Sequence, residues 1–116
     1  MKRYLGKLAF LFLVAVDGHA LAVDCQGTVD TLSFQMDGSG TVTLSLSGGP
    51  TFTYICNTLG TLNGVPPSDC RTMYATLMAA KLTGKQVLIR FYNYGTCASV
   101  PSWGASGPMG WTMVLL

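Results

Sequence analysis

Residues 28–56 read TVDTLSFQMDGSGTVTLSLSGGPTFTYIC, and the periodicity of this stretch sets the fold class. Leu32, Phe34 and Met36 alternate with Thr31, Ser33 and Gln35, the period of two expected of a half-buried strand over residues 28–36. Val29 is out of phase with that set, which predicts a bulge near the strand's start. Asp37-Gly38-Ser39-Gly40 supplies turn residues that tolerate positive φ. Alternation resumes over residues 41–47, with Val42, Leu44 and Leu46 on one face and Thr43 and Ser45 on the other. Gly48-Gly49-Pro50 makes the next turn, and residues 51–56 form a third strand with Phe52, Tyr54 and Cys56 sharing a face. The expectation is a three-stranded antiparallel meander.

On the C-terminal side, Gly60, Asn63-Gly64 and Pro66-Pro67 mark a loop. A helix is predicted over residues 69–82. Ser68 is placed as its N-cap, Asp69 complements the positive end of the dipole, and Gly84 is suited to a left-handed stop. Cys70, Met73, Leu77 and Ala80 recur at three- and four-residue spacing, one apolar stripe; Lys81 falls in the last turn. A fourth strand covers residues 87–92, with Val87, Ile89 and Phe91 inward and Leu88, Arg90 and Tyr92 outward. Residues 93–110 are irregular, rich in Gly, Pro and Ser, and such long loops are uncommon unless stapled or functional. Residues 111–116 complete the set as a strand with Trp111, Met113 and Leu115 on one face. No repeat or linker interrupts the pattern, so residues 23–116 form a single domain.

The order β-β-β-α-β-β, all-β with one helix, is that of the five-stranded Greek-key OB-fold barrel; a β-sandwich or an open α+β sheet has room for the same elements. Four cysteines, Cys25, Cys56, Cys70 and Cys97, in a small exported chain point to two disulfides, because a zinc site would want close Cys pairs. Spacing alone leaves three pairings open. The barrel topology favours one of them. Antiparallel pairing of strands one and four brings Cys25 near Cys97, and the path from strand three to the helix brings Cys56 near Cys70. The chain is expected to be a small disulfide-stapled barrel.

The N-terminal stretch carries Lys2, Arg3 and Lys7, an apolar run from Leu8 to Val16, and Ala20-Leu21-Ala22. That is the layout of a signal peptide cleaved after Ala22, which predicts a secreted or periplasmic protein. The apolar run is too short for a membrane span, which needs about 20 residues. The rest has four cations (Arg71, Lys81, Lys85, Arg90) and four anions (Asp24, Asp30, Asp37, Asp69). A neutral surface lacks the basic footprint a nucleic-acid binder needs. The single histidine, His19, lies in the leader, and there is no glutamate. No Ser-His nucleophile can be assembled, no catalytic carboxylate pair is suggested by spacing, and neither a metal nor a cofactor is expected. Enzyme is the class these residues support least.

The element order, the export signal and the run from Pro67-Ser68 through Tyr74, Leu77, Ala80 and Thr83-Gly84 to Val87 and Ile89 resemble the B subunits of bacterial AB-type toxins, in particular the B-subunit family of subtilase cytotoxin. The resemblance implies a small exported OB-fold, a homo-oligomeric ring of five and binding of host glycans. It also has a departure: the exported part begins almost directly at Cys25, without the polar N-terminal segment that carries part of the sialic-acid contact in those toxins. No individual sugar-contacting residue is therefore carried over.

Candidate ligand-binding residues come instead from the residues themselves. Tyr92, Asn93, Tyr94, Ser102 and Trp103 crowd the loop after strand four. Flat aromatic rings stack on sugar faces, and amides and hydroxyls bond sugar hydroxyls without charge. The competing role for Trp103 is to cover one end of the barrel, with the tyrosines packed beside a disulfide. Arg90 has the geometry to clamp an acidic sugar or a partner's carboxylate, or to pair with Asp30 on the neighbouring strand. Met73 and Met78 fit the core. Two functions follow: a secreted binding module for glycans or a partner protein, and a solitary periplasmic structural or protein-interaction domain without a toxin role.

Overall fold

The computed structural model describes residues 21–116; the signal peptide expected over residues 1–22 lies, apart from Leu21 and Ala22, outside the described residues. The chain forms strands β1 (Ala22–Phe34), β2 (Thr41–Leu46) and β3 (Thr53–Asn57), helix α1 (Pro67–Thr83), strand β4 (Gln86–Tyr92), a short 3-10 turn (Cys97–Ser99) and strand β5 (Met109–Val114). The strands make one five-stranded antiparallel sheet in the order β3-β2-β1-β4-β5. The class is therefore all-β with one helix.

β1 organises the sheet because it is long enough to serve two partners. Its first half, Ala22 to Thr28, pairs with β4, and its second half, from Val29, pairs with β2. The strand thus starts six residues earlier than the alternation over residues 28–36 suggests. Its register against β2 slips between Val29 and Thr31, so the out-of-phase Val29 does mark a bulge. Lys81 of α1 reaches across to this bulge, its Nζ 3.0 Å from the Asp30 carbonyl and 3.4 Å from that of Val29. A lysine whose position in sequence suggests only a last-turn charge thereby caps carbonyls beside the bulge.

Several face assignments differ from those the alternation predicts. On β1 the inward set ends at Leu32. Phe34 is exposed and meets Tyr74 edge-on at 6.4 Å, and Met36, in the turn, is 88% exposed. The strand has run past the rim of the core. On β3 the expected Phe52-Tyr54-Cys56 face is broken by a slip opposite Val42 and Thr43. The extra residue, Ile55, puts Cys56 on the same side as Thr53, while Tyr54 pairs with Thr43 on the other side. Thr43 and Ser45, expected outward, are buried. Ser45 is satisfied by accepting from the Phe52 amide at 2.7 Å.

α1 begins at Pro67, not Asp69, and its N-cap is Pro66, without a side-chain cap. Ser68 is inside the first turn, where its carbonyl accepts from the Thr72 hydroxyl. Pro67 takes over the role expected of a serine cap: its fixed φ matches the helix and it has no amide to leave unpaired. Gly84 ends the helix at φ 69°, its amide reaching back to the last turn. Cys70, Leu77 and Ala80 are buried against a core that includes Val42, Leu44, Ile89 and Phe91.

Both expected disulfides are present, Cys25–Cys97 with Cα atoms 5.7 Å apart and Cys56–Cys70 with 5.5 Å. They are compatible with an oxidising compartment, outside the cell or in the periplasm. No ladder joins β3 to β5, so the sheet does not close as a continuous barrel. Residues 103–106 bridge part of the opening, running parallel to β3 with a Tyr54–Ala105 bridge. Among the described residues no helix is long and apolar enough to cross a membrane.

Candidate functional site

The closing segment places the most exposed indole of the chain. The Trp103 amide donates to the Phe52 carbonyl at 2.7 Å, the Tyr54 amide to Gly104 at 2.8 Å, and the Ser106 amide to Tyr54 at 3.0 Å. Phe52 and Trp103 both adopt positive φ, 48° and 56°, a region that bulky side chains seldom occupy. Their rings lie parallel, 4.7 Å between centroids and 6° between planes. One indole face rests on Phe52, and Trp103 is nonetheless 62% exposed. The pair is a flat platform on the surface, with exposed Ser102 beside it in sequence.

Asn63 fastens that segment. Its Nδ2 donates to the carbonyls of Tyr54 and Ile55 at 2.9 and 3.0 Å and to Ser106 Oγ at 3.1 Å. Its Oδ1 accepts from the Gly107 amide at 2.9 Å. A side chain with two N–H donors and a carbonyl acceptor is well matched to this position. In sequence Asn63 is legible only as half of an Asn-Gly turn, and Phe52 only as a strand residue; neither carries a signal for the platform.

Arg90 and Tyr92 lie elsewhere, on the outer face of β4. Arg90 Nε and Nη2 donate to Asp24 Oδ1 and Oδ2 at 2.7 and 3.0 Å, and its guanidinium sits 4.2 Å from the Trp111 ring centroid. The carboxylate partner on β1 is thus Asp24, not Asp30, because Asp24 is opposite Arg90 in the antiparallel register. The hydrogen bond from Arg90 holds the Asp24 carboxyl below its ordinary 3.8, and the same bond raises the guanidinium. An acidic ligand would have to displace Asp24. The Tyr92 hydroxyl lies close over Gly110, where an added Cβ would come within 2.9 Å of it.

Asn93 and Tyr94 make the turn out of β4. Asn93 has φ 72° and its amide donates to Leu21. Tyr94 is half-buried against the core, its hydroxyl near Gly107. The six candidates therefore fall in three places: Arg90 with Tyr92, Asn93 with Tyr94, and Ser102 with Trp103. None lines the two open grooves of about 240 and 430 Å³, which run between α1 and β5. All four cysteines are in disulfides, and among the described residues no group of three or more His, Cys, Asp or Glu side chains could hold a metal ion.

No family model matches the chain, and no curated protein or solved structure does so significantly.

Proposed function

We propose that this chain is an exported, non-enzymatic binding module that takes a glycan on the Trp103–Phe52 platform. The observation that carries this reading is a largely exposed indole held flat by a stacked ring and by backbone hydrogen bonds on both sides. Ordering an aromatic before the ligand arrives lowers the entropic cost of stacking on it. A sugar face needs a flat apolar surface rather than a deep cavity, so a platform outside the grooves suits it. Ser102, next to Trp103 in the chain, is an uncharged hydrogen-bonding group suited to a hydroxyl-rich ligand. The toxin-B-like resemblance contributes the ligand class.

A second reading, a solitary periplasmic protein-interaction domain, is favoured by the scatter of the six candidates over three places. An array of neutral and sialylated oligosaccharides, probed with the oxidised protein and with Trp103→Ala, separates the two. Selective binding lost in Trp103→Ala supports the glycan reading. No binding to any sugar, with normal folding, favours the protein partner.

A further inference from the structure

β5 ends the sheet on one side, and among the described residues its outer edge has no strand partner. The Leu115 amide donates to Gln86 of β4 at 2.8 Å. In an antiparallel ladder alternate residues point their backbone groups the other way, so Thr112 and Val114 present theirs outward. The opposite end of the sheet is not open in this way. Tyr54 and Ile55 on β3 are occupied by Gly104, Ser106 and Asn63. A head-to-tail ring that continues the sheet from copy to copy would need both edges. One open edge instead pairs with itself across a two-fold axis.

Beside that edge, α1 runs in the same sense as β5. Thr112 borders Met73 and Thr76, while Val114 and Leu116 border Ala80 and Thr83. The groove between them has Asp69 at one end and Lys85 at the other, and neither has an ion-pair partner among the described residues. Thr112 Oγ1 is buried in this wall without a hydrogen-bond partner. On the outer face of the same strand Trp111 and Met113 are 49% and 43% exposed.

We infer that a second copy of this chain docks on the β5 edge, antiparallel about Met113. Thr112 and Val114 then exchange backbone hydrogen bonds with the partner's Val114 and the partner's Thr112. The two-fold brings the Asp69 end of each groove to the Lys85 end of the other. It also sets the exposed Met113 side chains against each other, joining the outer faces into one apolar strip. Unpaired strand edges invite such pairing, and the opposed charges fix its direction. This assembly stands independently of the glycan reading.

The test is the solution mass of the oxidised protein by light scattering over a dilution series, with circular dichroism as the fold control. The expected result is an equilibrium between one and two chains. Val114→Pro removes an outward amide without touching the ladder to β4 and should weaken the dimer about thirtyfold, since each copy loses a donor. Asp69→Lys and Lys85→Asp should each weaken it roughly fivefold, and the double swap should restore it. A single-chain mass throughout, a mass of five chains, or a dimer that folded Val114→Pro leaves unchanged would overturn the inference. If Val114→Pro does not fold, the charge swap decides: failure of the double variant to recover overturns it equally.

Discussion

Asn63 shows how much one residue can hold. Its side chain makes hydrogen bonds to Tyr54, Ile55, Ser106 and Gly107, tying the closing segment to β3. Buried groups left unpaired cost about 1–3 kcal/mol each, so Asn63→Ala is expected to lower stability by roughly 2–4 kcal/mol in urea unfolding. Trp103→Ala should behave differently. Its ring is mostly exposed and packs on a single partner, so the melting temperature should stay close to that of the parent while sugar binding falls. The Asp24–Arg90 pair sets a pH signature. Because the folded Asp24 pKa is depressed, its contribution is present above the ordinary 3.8 and is lost as pH falls through the folded value. Asp37, lowered by hydrogen bonds from Ser39, titrates in the same direction. Asp24→Asn should therefore flatten the acid limb of the stability curve, as checked by unfolding between neutral and acid pH. Arg90 and Tyr92 are legible in the sequence as outward residues of β4, since Val87, Ile89 and Phe91 set the phase. That Asp24 already neutralises Arg90 is not legible, because the partner depends on register.

At the level of elements, alternation is a sound guide until a bulge intervenes. β4 has no bulge and its inward and outward sets are as the pattern predicts. β1, β3 and β5 each carry an irregularity, beside Asp30, at Ile55, and opposite Arg90 at Gly110-Trp111. An extra residue moves every later side chain to the other face, and composition gives little warning of where that happens. Val29 is the exception, since its phase error is visible. The helix start moves for a comparable reason: Pro67 satisfies the geometry expected of Ser68. The disulfides are legible because element order, not local spacing, decides which cysteines meet. Cys25–Cys97 spans 72 residues, so replacing both cysteines with serine should cost about 4 kcal/mol in the chain-entropy model; loss of Cys56–Cys70 should cost about 3 kcal/mol. Chemical denaturation of the two double variants checks that order.

For the whole molecule, element order is enough to give the sheet, the helix and the stapling. It is not enough to show how the sheet ends. The segment 103–106 lies within a Gly-, Ser- and Pro-rich stretch that reads as loop, yet it engages β3 and lifts Trp103 into a platform. Parallel pairing of such a short segment has no periodic signal. Among the described residues the same topology leaves β5 as the open edge, so an aromatic platform lies at one place and a strand edge with its groove at another. The platform is the central claim, and two tryptophans make it accessible to observation. The most direct measurement follows the two indole N–H signals by NMR as an oligosaccharide selected on the array is titrated in. A glycan-binding platform predicts that the Trp103 signal shifts and saturates while that of Trp111, which carries the Arg90 guanidinium on its ring, stays in place. An unmoved Trp103 signal, or a shift confined to Trp111, would contradict it.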